Sequence, residues 1–389
     1  MDNFEEKACT CALNRIFGFS PRTGAALISH LGSASEVFRL RRSELEDMLG
    51  RDSRHIGLIE YSAVKAARQE LKDLERLGIS FIMQHSDIYP PLLKECDDSP
   101  IGLYIRSTTP PEDLWSPSRS IAVVGTRDIS PYGKEWCGKA VRAIACSQEK
   151  PLIISGLALG TDICAHRHAM ECGLPTIGVM ATGPEAIYPH RHHDFAQKLW
   201  QTPGCALITD YPPGTAPLAI HFLRRNRIIA GLADATILIE SKSRGGGMTT
   251  ARLAFSYDRD VFALPGRSDD VRSQGCNRLI REKIAEPLIS IEDLMDSLRL
   301  DGTFRNARTS ADEILKQHFG RQCSPQQIAD MKMILEAIRN EKGITVEETA
   351  LKTGMEYVKV SQLTGILETE GLICVDLLQR CTLETKIFR

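Results

Sequence analysis

The chain has 389 residues, 42% of them hydrophobic, with 48 Lys and Arg against 50 Asp and Glu for a formal charge of −2. That length predicts two or three domains, with enough apolar content for real cores. The charge balance excludes a globally basic nucleic-acid binder, so any site for a polyanion must be a local patch.

Residues 1–75 predict a small helical domain. Ala25, Leu27, Ile28 and Leu31 recur at helical spacing, as do Leu58, Tyr61, Val64 and Ala67. The turn Phe17-Gly18-Phe19-Ser20-Pro21 is expected to precede the first clear helix, and Gly50 to close the helix that follows Glu44. Residues 76–118 read as a connector with short extended pieces at Ile79 to Met83 and Ile101 to Ile105, broken by Tyr89-Pro90-Pro91 and Pro110-Pro111.

From residue 119 to 298 short β-branched runs alternate with amphipathic helices. The runs are Ile121 to Val124, Leu152 to Ile154, Thr176 to Met180, Ala206 to Thr209, Ala235 to Ile239 and Val261 to Leu264. Runs apolar on both faces suit a buried, mostly parallel sheet with crossover helices, which predicts a Rossmann-like α/β core over residues 76–298. Residues 299–325 are polar and aperiodic, as a linker is. From 326 to 389 three helical stretches precede two short extended runs, the order of a winged helix.

In open parallel sheets, ligands sit beyond the carboxyl ends of the strands. Five of the six strand ends carry Gly, hydroxyl or Arg: Gly125-Thr126-Arg127, Ser155-Gly156 through Gly160-Thr161-Asp162, Ala181-Thr182-Gly183, Glu240 with Gly245-Gly246-Gly247-Met248-Thr249 soon after, and Pro265-Gly266-Arg267. Three of the glycine turns are expected to run straight into helices. Glycine lets amides approach an anion, and a helix N-terminus adds partial positive charge. Arg224, Arg225, Asn226 and Arg227 lie close together on one helix. Residues 221–281 hold 11 Lys or Arg against 6 Asp or Glu, a track suited to a long polyanion.

Three enzyme fingerprints are missing from the sequence: G-x-G-x-x-G after the first strand, the G-x-x-x-x-G-K-[ST] loop, and the G-x-S-x-G elbow. His166 with His168, and His190 with His192 and His193, lack a second ligand pair at zinc spacing, so no metal and no cofactor is expected, and Asp162 is expected to cap or hydrogen-bond. The 12 cysteines are scattered through apolar runs and no signal-like segment precedes them, the pattern of buried thiols in a cytoplasmic protein. No apolar run reaches the ~18 residues needed to cross a bilayer.

Residues 120–281 resemble the DNA-processing protein A family, also called DprA or Smf. The matching stretches are Val124 to Arg127, Ser155 to Asp162 with Ala165-His166, Gly183 with Tyr188-Pro189, Phe222 to Gly231, Glu240, Gly245 to Ala251, Pro265-Gly266, and Gly275-Cys276-Asn277 with Leu279-Ile280. Thr126 stands where the family commonly has Ser, and Arg281-Glu282-Lys283 replaces a closing Gly-Ala. The flanking segments resemble the family's sterile-alpha-motif or helix-hairpin-helix module and its winged helix. The resemblance implies single-stranded DNA binding without a catalytic step, protection of DNA entering during natural transformation, loading of the RecA recombinase, and homodimers formed through the core. It implies DNA contacts at Gly125, Thr126, Arg127, Ser155, Gly156, Arg224, Arg225, Asn226 and Arg227, with Lys242, Gly245, Gly246, Gly247 and Thr249 as weaker candidates. The enzyme alternative is a nucleoside-monophosphate phosphoribohydrolase, for which Glu240 is the one plausible carboxylate. A duplex-reading winged helix is the other rival, yet residues 326–389 carry 8 Lys or Arg and 10 Asp or Glu.

Overall fold

The computed structural model describes residues 3–300, 315, 319, 323–340, 344–376 and 379–383. The chain divides into two compact units, residues 1–301 and 302–389.

The first unit opens with helices α1 (Asn3–Phe17), α2 (Pro21–Leu31), α3 (Ala34–Val37), α4 (Arg42–Leu49) and α5 (Tyr61–Arg76). Helix α1 lies before the turn expected to introduce the first helix, and it supplies Ala8, Cys11, Leu13 and Phe17 to the local core. Gly50 caps α4 as expected. The stripe expected around α5 is shifted: Leu58 and Tyr61 are 54% and 62% exposed, while Val64, Ala67, Leu71 and Leu74 are buried. Helical spacing was present, but the register slid by one turn along α5.

Strands β1 (Ile79–Met83) and β2 (Gly102–Arg106) pair antiparallel. They do more than connect. Ile79, Phe81, Ile101 and Tyr104 bury themselves among the N-terminal helices, while Ile82, Leu103 and Ile105 join the core of the following α/β region. Period-2 alternation thus makes this hairpin the shared wall of two cores.

The α/β region runs β3 (Ser120–Val124), α7 (Pro131–Cys146), β4 (Leu152–Gly156), α8 (Thr161–Glu171), β5 (Thr176–Val179), α9 (His193–Gln201), β6 (Ala206–Thr209), α10 (Ala219–Gly231), β7 (Ala235–Leu238), α11 (Gly246–Ser256), β8 (Asp260–Ala263), α12 (Gln274–Arg281), β9 (Glu286–Pro287) and α13 (Ile291–Leu298), with the short α6 (Pro91–Lys94) before β2. All six expected strands are present. The sheet order is β1-β2-β6-β5-β4-β3-β7-β8-β9, parallel except where β2 pairs with β1 and β6. Alternate residues face opposite layers: Ala122 and Val124 one core, Ile121 and Val123 the other. Burying each such Val, Leu or Ile contributes about 1.5–3 kcal/mol, which is what holds helices on both faces.

The chain moves outward from β3 through β4, β5 and β6, then returns to β7 on the other side of β3. The adjacent ends of β3 and β7 therefore diverge into loops on opposite faces. This is the switch point where such sheets open a crevice.

In the second unit, helices Pro325–Asn340, Val346–Thr353 and Tyr357–Thr369 are followed by strands Ile373–Val375 and Arg380–Leu383, joined by Ile344–Thr345 in a three-stranded sheet. Much of the expected linker lies outside the described residues. Two residues within it, Leu315 and Phe319, are buried in the core of this unit.

Candidate nucleic-acid interface

At the switch point lies a cleft of about 540 Å3. One wall is the β3 turn, Gly125 to Arg127, and the other is the β7 loop, Ser241 to Gly247, with one side of α10 across the opening. The walls meet closely because both carry glycine. A Cβ on Gly247 would sit 2.6 Å from Leu238 Cδ1 and 3.2 Å from Gly125 Cα, and one on Gly125 would sit 2.5 Å from Thr161 Oγ1. Any side chain at either position would force the walls apart.

The β3 turn is held from below. The Thr161 amide and hydroxyl both donate to Thr126 O, at 3.1 and 3.2 Å. Its stretch to Ser130 crosses the start of α8 before α7 begins, so only two glycine turns, at Gly160 and Gly245, lead straight into helices. The first amides of α11, at Gly246 and Gly247, lie at the cleft wall, where a helix start leaves N–H groups without intrahelical partners.

Nine of the fourteen expected contact residues line this cleft: Gly125, Thr126, Arg127, Arg225, Asn226, Lys242, Gly245, Gly246 and Gly247. Arg127 and Lys242 are exposed. Arg225 is only 4% exposed and forms part of the floor; its Nη1 donates to Val179 O at 2.5 Å, and its Nε has no hydrogen-bond partner among the described residues. Asn226 points its Nδ2 at Gly246 O, 3.3 Å away, tying α10 to the β7 loop.

The other five residues lie elsewhere. Ser155 is fully buried, its hydroxyl donated to Val123 O at 2.6 Å, because β4 is central and both its faces are covered. Gly156 lies beneath Arg225, and its carbonyl accepts from His166 Nε2 at 2.7 Å. Arg224 points the opposite way along α10: it donates to Gly18 O and Phe19 O at 2.6 and 3.2 Å and stacks on the Phe19 ring, clamping the N-terminal helices. Arg227 is buried in an ion pair with Asp210 and donates to Asp98 O at 2.8 Å. Thr249 faces the Phe19 side with Arg224. Successive residues on a helix point about 100° apart, so a run of four polar residues cannot share one face.

Several cleft residues were absent from the expected set. Phe222 and the exposed Tyr188 pack edge-to-face with centroids 5.5 Å apart, and the Arg127 guanidinium lies 5.2 Å over the Phe222 ring. Both aromatics belong to stretches that resemble the family, and uncharged rings give the sequence no signal for an anion site. Asp162 is the other. It is buried beside Arg225, with the Ala158 amide donating to it at 3.3 Å. Burial pushes its carboxyl above the usual range, and Arg225 opposes that rise. Burial likewise lowers the Arg225 guanidinium, with Asp162 acting against it.

Glu240, the carboxylate a phosphoribohydrolase would need, is 1% exposed. It accepts from the Ser130 amide and hydroxyl at 2.9 and 2.5 Å and so secures the start of α7. The turns after β5 and β8 are not part of the cleft: Thr182 donates to Ala186 O at 2.5 Å, and Gly266 is clasped by Asn277 at 3.1 and 2.9 Å. Two of the histidines contact backbone carbonyls. His166 contacts Gly156 O and Thr176 Oγ1, each at 2.7 Å, and His192 Nδ1 lies 2.9 Å from Leu157 O. Among the described residues no helix is long and apolar enough to cross a membrane.

Together these features define a Rossmann-type α/β protein with a glycine-walled, cationic cleft at its topological switch point. The chain belongs to the DNA recombination-mediator protein A family, whose model matches residues 80–299. It is 35% identical to protein Smf of Escherichia coli K12 over 237 residues, covering 60% of this chain and 62% of that protein, less than two thirds of its length. Its fold is similar to the crystal structure of DNA processing protein A from Streptococcus pneumoniae, with TM-score 0.62 and 27% identity over 76% of this chain and 98% of that one. It is also similar to DNA processing protein A from Helicobacter pylori, studied for its single-stranded DNA binding mode, with TM-score 0.50 and 28% identity over 57% of this chain and 95% of that one.

Proposed function

We propose that this chain binds single-stranded DNA in the cleft between the β3 and β7 turns, without catalysing a reaction on it. The observation that carries this reading is the convergence of Arg127, Arg225 and Lys242 with exposed Tyr188 and half-buried Phe222 around glycine-walled turns. Cations and helix-start amides suit phosphates, and ring faces suit unpaired bases, whatever their sequence. Gly125, Thr126, Arg127, Arg225, Asn226, Lys242 and Gly245 to Gly247 are the proposed contacts. Ser155 and Gly156 support the cleft floor, while Arg224, Arg227 and Thr249 lie outside the cleft.

The wider role follows the family. The chain shields single-stranded DNA in the cytoplasm and delivers it to the RecA recombinase during transformation and recombination, acting as a homodimer. The C-terminal unit is a winged-helix module, and its net negative charge over residues 326–389 favours contact with protein over a DNA groove. Gel shifts comparing single-stranded with duplex oligonucleotides test the core of this reading. Retardation of the single strand, weakened by Arg127→Ala, is expected; equal retardation of duplex, unchanged by that variant, would refute it.

A further inference from the structure

Arg127 lines a second groove as well as the cleft. This groove, of about 790 Å3, runs from the β3 turn between the start of α7 and the outer face of α8 to the segment around Arg191. Lys134, Arg167 and Arg191 stand along it, one from each of these elements, all exposed. The groove also holds two acids. Asp128 pairs with Arg272 at 2.8 Å, and Glu171 lies 3.3 Å from His168 Nδ1. Lys134 and Arg167 converge from facing helices: after a hydrogen bond with Cys137, their charges are what lower the Cys164 thiol between them.

We infer that this groove is a second segment of the DNA track, holding the phosphates of nucleotides that leave the cleft past Arg127. The inference rests on the cleft reading above and extends it. Three cations on separate elements, none in an ion pair among the described residues, line a groove continuous with a residue shared with the cleft, which suits an extended polyanion. The groove contributes charge without the Tyr188–Phe222 pair of the cleft, so it should grip backbone only and add length-dependent affinity.

The test uses the full chain carrying Lys134→Ala, Arg167→Ala and Arg191→Ala, titrated with oligo-dT of about 6 and about 20 nucleotides, short and long relative to one single-strand site. Affinity for the short probe should stay within about twofold of wild type, which also shows that the variant is folded. Affinity for the long probe should fall about tenfold at ~0.15 M salt, with the salt slope reduced by about 2, near 0.7 per lost phosphate contact. A control lacking Arg51, Arg54 and Lys65, exposed cations of the N-terminal region, should bind both probes as wild type does. Wild-type binding of the long probe by the groove variant, equal loss on both probes, or the same loss in the control would each overturn the inference. A wild-type chain that binds neither probe would instead overturn the cleft reading, and the groove with it.

Discussion

Arg225 and Asp162 flank the space above Gly156, where a Cβ would lie 2.1 Å from Arg225 Nη1 and 2.4 Å from Asp162 Oδ2. Glycine at the end of β4 leaves room for the pair, and the pair forms the charged floor of the cleft. Sequence, packing and site chemistry therefore converge on one missing side chain.

Gly156→Ala should accordingly cost about 1–3 kcal/mol of stability, as overpacking of a filled core does. It should also weaken oligo-dT binding by displacing Arg225. Urea denaturation and a binding titration on the same sample check both effects. Unaltered stability would show that the floor has slack the packing does not suggest.

Arg225→Ala removes the charge that faces a buried carboxylate. Losing that facing charge is expected to cost about 1–3 kcal/mol, because the buried carboxyl loses its electrostatic compensation. Adding Asp162→Ala should restore part of the loss. A double-mutant cycle by chemical denaturation measures it, and a double variant no more stable than the single would disprove the pairing.

Arg127 and Arg227 should behave oppositely. Arg127→Ala removes an exposed side chain, so stability should change by less than about 0.5 kcal/mol. Single-strand affinity should fall and the salt slope flatten by about 0.7. Arg227→Ala breaks the buried pair with Asp210 and should cost about 3 kcal/mol while leaving binding by the folded fraction intact. Matched thermal melts and titrations separate the two.

That contrast marks what the sequence could show. Strand runs were legible because burial on both faces leaves unbroken β-branched stretches, and the glycine turns because few residues allow such close wall contact. The direction of each arginine was not legible. Arg224, Arg225 and Arg227 are near neighbours in sequence, but α10 sends one to the N-terminal helices, one to the cleft floor and one to Asp210. The start of the α5 stripe is hidden for a related reason: apolar residues at helical spacing mark a stripe without showing where packing starts, so Val64 and Ala67 are buried but Leu58 and Tyr61 are not. Tyr188 and Phe222 were invisible as a pair because they come together only when the loop after β5 reaches α10.

His166 gives a pH prediction. Burial pushes its imidazole down to about 4 from an ordinary value of 6.5. The unfolded chain therefore holds the proton over this interval and the folded chain does not. Its contribution is complete above about 6.5 and is lost as pH falls towards 4, by up to ~3 kcal/mol. Asp162, raised by burial, contributes with the opposite sign, so the comparison is wild type against His166→Gln. Denaturation midpoints between pH 4 and 7 should slope less in the variant; parallel slopes would contradict a neutral buried imidazole.

The most direct measurement is the anisotropy of a labelled oligo-dT titrated with the wild-type chain at several salt concentrations, beside a duplex of equal length. Saturable binding that prefers the single strand and weakens steadily with salt is the expected result. A folded sample that leaves the oligonucleotide unbound at low salt, or takes up duplex equally well, would contradict a switch-point cleft shaped for unpaired DNA.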